Sequence, residues 1–430
     1  MKNVVIKKNV WSSDEEDTLQ FPDDWTINIF GNQLLPALSD KEIIQRLDEP
    51  IDGLRLSSLG NGRKSAIILI DDISRPTPVS NLLSHVIAKL SQAGIPANKI
   101  KVLVAGGTHR QAKNEEILMK TGLGIPKEVD ILTHDCKSDC VWIGKTSLGT
   151  PIFINKNVID SEIKIGIGSV YPHPVAGFSG GNKILALGAA GFETIRVLHD
   201  LRRGSNLRTG EINHPFRNEI NEICEFVGMN FSINVTLNQS RKISGIFAGH
   251  PEKAFSEAVT FVKKNYSVQV DSQADVVVID MYPFDMDFQF AFDRGLWPLE
   301  YSQKTSTKII IANCKKGIGG HELFPVSNPI FVRIKRRLKH FKVHDILDIS
   351  ERIRSIRRII WRRNLDTYLV SPFISNTEIK KVLPKSKIVK DWKSMLEVID
   401  EKYKGKLDIH VAFYLTAPLM LHLEKENKSE

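Results

Sequence analysis

The stretch Ala66-Ile67-Ile68-Leu69-Ile70-Asp71-Asp72-Ile73-Ser74-Arg75-Pro76-Thr77-Pro78 decides the fold. Five unbroken apolar residues read as a strand buried on both faces, as a parallel sheet between two helix layers requires. Two acids and Arg75 end that run. After Pro78 the positions Leu82, Leu83, Val86, Ile87 and Leu90 share one helical face, and Gly94 stops the helix. His85 on this helix reads as a packed surface histidine. The same pattern recurs down the chain: Ile100 to Val104 runs into Ala105-Gly106-Gly107, Ile163 to Ile167 into Gly168, Val276 to Ile279 into Asp280, and Ile309 to Ile311 into Ala312-Asn313. The expected class is α/β, with two Rossmann-like domains, each a mainly parallel sheet flanked by helices. Loops at the carboxyl ends of the strands are then the expected chemical edge. A chain of 430 residues is long enough for two cores. The polar stretch Lys263 to Ala274 sets the expected boundary, giving domains over 1–266 and 275–413 and a tail over 414–430.

Composition narrows the class further. The chain is 42% hydrophobic and 25% charged, as globular proteins are. No apolar run approaches the ~20 residues of a membrane helix, and a cytoplasmic setting is expected. Cys136, Cys140, Cys224 and Cys314 are too few for a disulfide framework, and no second pair joins Cys136 and Cys140 in a zinc site. The formal charge is +9. Between Arg333 and Arg363 twelve basic residues face only Asp345, Asp348 and Glu351, so the whole excess sits in one segment. A nucleic-acid patch is one reading. A solvated helix face is favoured, because Ile334, Leu338, Ile353, Ile356, Ile359 and Ile360 supply a broken apolar stripe and no nucleic-acid-binding motif accompanies it.

Three loops carry chemistry, each just after an expected strand. In the first, Asp71 to Pro78, Arg75 offers a fork for a carboxylate or phosphate; a salt-bridged turn is the bland alternative. In the second, Ala105-Gly106-Gly107-Thr108-His109-Arg110, glycines permit close backbone approach and His109 is a proton carrier. The third is the richest: Tyr171-Pro172-His173-Pro174-Val175-Ala176-Gly177-Phe178-Ser179-Gly180-Gly181-Asn182-Lys183, with Gly188, Gly191 and His199 beyond. Its glycines and Ser179 suggest a phosphate-cradling nest. It is not a Walker A loop, because Asn182 separates Gly181 from Lys183 and Ile184 follows. It is not a dinucleotide fingerprint either, because Tyr171 stands where the third glycine belongs.

Together the three loops resemble the signature of the nickel-pincer lactate racemase family. The resemblance rests on Asp-Asp-x-x-Arg-Pro-Thr-Pro at 71–78, Gly-Gly-Thr-His-Arg at 106–110, and His-x-x-x-Gly-x-Ser-Gly-Gly-x-Lys at 173–183 with His199 beyond. Weaker echoes run through Asn213 to Arg217, Phe231 to Asn234 and Gly317 to Glu322. The resemblance implies a racemase or epimerase that inverts C2 of a 2-hydroxy acid through a 2-keto intermediate. It implies a nickel-pincer nucleotide, a pyridinium-3-thioamide-5-thiocarboxylic acid mononucleotide holding nickel, made by separate cofactor-biosynthesis proteins. By residue, it implies Lys183 as the covalent attachment point and His199 as the nickel ligand, a nitrogen donor suited to square-planar Ni(II). It implies His109 and His173 as opposed proton carriers, Arg75 as the carboxylate clamp, and Asp72 as an orienting group in the substrate site. Ser179, Gly180, Gly181, Asp71 and Thr77 are expected around the cofactor.

One departure bears on the substrate. The family pattern has a substrate-contacting lysine after a Tyr-Gln pair, whereas Asp285 to Gly295 reads Asp-Met-Asp-Phe-Gln-Phe-Ala-Phe-Asp-Arg-Gly. Gln289 keeps the glutamine, Arg294 stands in for the missing charge, and a substrate other than lactate is expected. A bland alternative has Arg294 and Asp293 facing solvent while Phe288, Phe290 and Phe292 pack the domain. Two rival functions stay open at this level: a nickel-pincer hydroxyacid oxidoreductase, and a non-catalytic binder of an anionic nucleotide or nucleic acid.

Overall fold

The computed structural model describes residues 1–11, 15–31, 35–201, 209–319, 357 and 360–423. Most of the basic 333–363 segment and the tail beyond Leu423 lie outside the described residues. The chain divides into two compact units, Leu35–Lys263 and a second built from Met1–Leu34 together with Lys264–Glu430.

In the Leu35–Lys263 unit a six-stranded sheet runs in the order Ile243–Gly249, Phe231–Leu237, Ile163–Ser169, Ala66–Ile70, Ile100–Val104, Asp130–Thr133. All neighbours are parallel except the antiparallel edge pair Phe231–Leu237 with Ile243–Gly249. Every residue of Ala66–Ile70 is buried, as its apolar run demands. The helix Ser80–Gln92 buries the expected stripe Leu82, Leu83, Val86, Ile87 and Leu90, and Gly94 follows at φ +92°. His85 is half-buried on it, 3.9 Å from Asp48.

Register places the loops. Ile70 pairs with Val104 on one side and Ile167 on the other, so the three strand ends are level. From Ala66–Ile70 the chain first steps outward to Ile100–Val104 and Asp130–Thr133. It then returns to place Ile163–Ser169 on the opposite flank. Open α/β sheets bind their ligands outside the carboxyl ends of the strands at such a reversal of strand order. The loops after residues 70, 104 and 169 all leave from that edge.

The other unit holds a six-stranded parallel sheet in the order Lys387–Val389, Tyr368–Val370, Thr307–Ile311, Val276–Asp280, His410–Tyr414, Thr26–Phe30. Its last strand corrects the expected domain bounds. Residues 1–34 were assigned to the first domain, but Thr26–Phe30 pairs with His410–Tyr414 from Thr26↔His410 to Phe30↔Tyr414. The hairpin of Lys2–Lys7 with Glu16–Phe21 adds Val4, Ile6, Leu19 and Phe21 to the core of the same unit. The segment over 414–430 is likewise not merely a tail: Leu421–His422 pairs with Ser267–Val268. No described helix is long and apolar enough to cross a membrane.

Candidate active site

Asp72 sits two residues beyond the level strand ends, nine-tenths buried, and organises the first loop. Its Oδ1 accepts from the Ser74 amide at 3.2 Å and the Ser74 hydroxyl at 2.5 Å. Its Oδ2 accepts from His109 Nδ1 at 2.6 Å. Burial by itself would push this carboxyl up, but the His109 ring and then Arg75 outweigh burial and hold it well below the usual carboxylate range. An ionised Asp72 fixes the tautomer of the neutral imidazole: Nδ1 carries the proton and Nε2 the lone pair.

Asp71 has a different part. Thr77 donates to its Oδ2, Ser169 donates to Thr77 Oγ1 at 2.7 Å, and Lys120 pairs with Oδ1. Lys120 also donates to the Arg75 carbonyl at 3.0 Å, although only 1% of its side chain is exposed. Burial raises the Asp71 carboxyl and lowers the Lys120 ammonium, each pulled back by the other. The expected cofactor contacts of Asp71 and Thr77 would therefore come on top of bonds that already fix the Arg75 loop. Nothing in the sequence marks Lys120, a lysine in the last turn of the short helix Asn114–Thr121.

The second and third loops dock through glycines. The Gly107 amide donates to Gly188 O at 2.9 Å, and Gly107 has φ +60°. A Cβ there would stand 2.7 Å from Leu187 O, and one on Gly188 would overlap Ile184 O and Ala105 O. The close approach brings the Gly107–His109 segment against the chain running from Lys183 to Gly188.

Within the third loop, His173 Nδ1 accepts from the Val175 amide at 3.2 Å and the Ala176 amide at 3.1 Å. Its Nε2 lies 3.4 Å from Lys183 Nζ. Ser179 is used internally: its hydroxyl donates to Ser169 O at 2.6 Å and accepts from the Tyr171 amide at 3.0 Å. Gly180 and Gly181 hold φ +78° and +58°, where added Cβ atoms would each meet a neighbour at 2.7 Å, Val170 and Phe255 respectively. The Gly181 amide donates to Asn234 Oδ1 at 2.8 Å. In this loop the glycines serve close packing, and the Ser179 hydroxyl and Gly181 amide are bonded within the protein rather than held open as a nest.

His199 lies on the helix Phe192–Leu201, half-buried, with Nδ1 donating to Ile195 O at 2.7 Å. With its proton on Nδ1, the neutral ring carries its lone pair on Nε2, the orientation common in metal-binding histidines held by a carbonyl. Its ring meets Phe216 edge-on at 6.1 Å. Among the described residues no cluster of three or more His, Cys, Asp or Glu could hold a metal by itself. A cofactor that brings its own sulfur donors asks the protein for one nitrogen, so the donor chemistry of His199 Nε2 and the amine of Lys183 fit a nickel-pincer nucleotide.

Gln289 and Arg294 belong to the other unit. Gln289 is 1% exposed, and its backbone N–H donates to Ile318 O at 3.0 Å. Arg294 lies over the rings of Phe284 and Phe290 at 5.0 and 5.4 Å and donates to Phe290 O at 3.2 Å. Phe288 and Phe292 are core residues, as the bland alternative has it, but Arg294 packs on aromatic rings instead of pointing into solvent.

The chain is similar to known proteins. Residues 13–210 match the family described as "Lactate racemase N-terminal domain". Lactate racemase of Lactiplantibacillus plantarum is 31% identical over 304 residues, covering 68% of this chain and 71% of that protein. Lactate racemase of Thermoanaerobacterium thermosaccharolyticum is 30% identical over 296 residues, covering 67% and 69%. The solved lactate racemase apoprotein from the latter organism superposes with TM-score 0.76 at 24% identity, covering 98% of this chain and all of that one. A Thermotoga maritima crystal structure matches the fold at TM-score 0.61 and 16% identity, over 90% of this chain and 99% of its own. The fold is α/β, and the curated relatives make the chain an isomerase of the racemase class. The chain belongs to the lactate racemase family.

Proposed function

We propose that this protein inverts C2 of a 2-hydroxy acid with a nickel-pincer nucleotide as cofactor, supplied by cofactor-biosynthesis proteins. The observation that carries the reading is the Asp72–His109 dyad in the same unit as the His173–Lys183 pair, on loops leaving one sheet edge. When bound, the cofactor supplies a reversible hydride acceptor, so the protein itself has only to place groups and move protons. Lys183 would hold it through the side-chain amine and His199 through Nε2. Arg75 would clamp the substrate carboxylate by its planar fork. His109 Nε2 would take the hydroxyl proton, the resulting imidazolium being stabilised by Asp72 at 2.6 Å. His173 would serve the oxygen on the opposite side, through Nε2. A racemase returns what it removes, so a single enantiomer should become a mixture with no net redox change; accumulation of free keto acid would instead mark an oxidoreductase.

We further propose that the preferred substrate is larger than lactate, such as an aldonate, a dicarboxylate or an aryl-substituted acid. The support is the absence of lysine from Asp285 to Gly295. Losing a buried cation that pairs with substrate costs about 2–5 kcal/mol of binding, which other contacts must replace. The test incubates cofactor-loaded enzyme with single enantiomers of lactate, malate, gluconate and phenyllactate and follows inversion at C2. Fastest turnover of lactate refutes the substrate assignment, and inversion of none of them refutes the activity.

A further inference from the structure

We infer that Arg217 is a positioning residue that fixes which nitrogen of His173 carries the proton; the inference rests on His173 belonging to the active site. Arg217 opens the helix Pro215–Val227 and is 3% exposed. One guanidinium nitrogen, Nη2, donates to both Ala176 O, at 2.8 Å, and Phe178 O. The group stacks 4.5 Å from the centre of the Phe255 ring, the same ring that a side chain at Gly181 would strike. Its Nε and Nη1 are buried without a hydrogen-bond partner. Burial brings its pKa down to about 10, opposed only by the Cys224 thiol rather than by any carboxylate. A guanidinium buried on carbonyls and one aromatic face is costly for the fold, and what it holds is a single turn.

That turn is the one that faces His173. The amides of Val175 and Ala176 both point at Nδ1, and two donors converging on one ring nitrogen require a lone pair there. The neutral ring must therefore carry its proton on Nε2, which can donate to Lys183 Nζ, 3.4 Å away, only when that lysine is the neutral amine. Between the two carbonyls that Arg217 grips lies Gly177 at φ +69°, packed so closely on Glu211 O that no side chain fits. Pinning residues 176 and 178 from one atom holds this left-handed link, and with it the direction of the Val175 and Ala176 amides. His109 and His173 consequently start in opposite states. Asp72 leaves a lone pair on His109 Nε2, while the Arg217-held turn leaves a proton on His173 Nε2. One site histidine is set to accept and the other to donate before any ligand arrives.

The test uses the full-length apoprotein with 15N-labelled histidine and long-range proton–nitrogen correlation spectra, His173 being assigned by its loss in His173→Gln. The wild-type ring should show the Nε2–H tautomer. Arg217→Met should move His173 toward the Nδ1–H tautomer, and Arg217→Lys, which can still reach one carbonyl, should restore most of the wild-type pattern. In cofactor-loaded enzyme Arg217→Met should lower kcat by about 10² with KM little changed, because a misaligned proton carrier affects the reacting state most. An Nδ1–H tautomer in the wild type overturns the inference even if Arg217→Met fails to fold. So does a His173 signature unchanged in a cooperatively folded Arg217→Met. Neither spectrum depends on turnover, so absence of racemase activity in the wild-type enzyme would count against the proposed function and leave this inference standing.

Discussion

Replacing Asp72 by Asn should abolish the base function of His109 while leaving the fold intact. The carboxylate serves two partners at once: Oδ1 accepts from the Ser74 amide and hydroxyl, and Oδ2 accepts from His109 Nδ1. An amide has one oxygen and one NH2 group, and cannot accept on both sides. The Ser74 backbone N–H cannot become an acceptor, so the amide oxygen turns toward Ser74 and the NH2 faces the imidazole. His109 Nδ1 must then accept, its proton moves to Nε2, and the nitrogen that should take the substrate proton is already protonated. The lost charge adds to this, because a carboxylate about 4 Å from the imidazolium centre contributes on the order of 4 kcal/mol at an effective dielectric of about 20. Wrong tautomer and missing counter-charge together predict a fall in kcat of about 10³–10⁴. The assay is inversion of one enantiomer of the best substrate by cofactor-loaded enzyme, followed by chiral chromatography. Thermal unfolding and bound nickel serve as controls and should stay near wild type. Activity within tenfold of wild type, in a variant carrying normal nickel, would refute the dyad.

Lys120→Met should destabilise the protein by about 3–5 kcal/mol in chemical denaturation, since it leaves the Asp71 carboxylate buried without its cation. Adding Asp71→Asn should recover part of that loss. His199→Ala should lower nickel content measured by elemental analysis, whereas His109→Ala and His173→Ala should keep nickel and stop turnover; loss of nickel in all three would show the ligand to be misassigned. Lys183→Ala should lack the covalent cofactor mass that intact-protein mass spectrometry finds in wild type from cells that make the cofactor. The unit holding Asp285 and Asp287 should weaken as pH rises from about 4 to 6. Burial raises both carboxyls to about 6. The folded state then keeps protons that the unfolded chain has already released, and stability falls through that window by roughly 3 kcal/mol for each group. Five of the six tryptophans, all but Trp142, lie in that unit, so tryptophan fluorescence in urea follows it, and Asp285→Asn should flatten the dependence.

Much of the element pattern was legible in the sequence, and so was the family whose motifs name the candidate site residues. Ala66–Ile70 and Ile100–Val104 were legible because a strand buried on both faces must be apolar throughout, and the helix after Pro78 because one face repeats at helical spacing. The loops were legible because their glycines, prolines, histidines and lysine stand at the spacing of a known family's motifs. Tertiary structure alone decided which residues meet. That Thr26–Phe30 completes a sheet nearly 400 residues away in sequence follows from edge pairing with His410–Tyr414, and local composition carries no trace of a distant partner. Nothing in the sequence marks Lys120, and only its burial against Asp71 and the Arg75 carbonyl shows that it sets the first loop. Ser179, Gly180 and Gly181 read in the sequence as a phosphate nest. That the Ser179 hydroxyl and Gly181 amide bond within the protein, and that Val170 and Phe255 stand close to the glycines, is geometry that spacing along a chain does not encode.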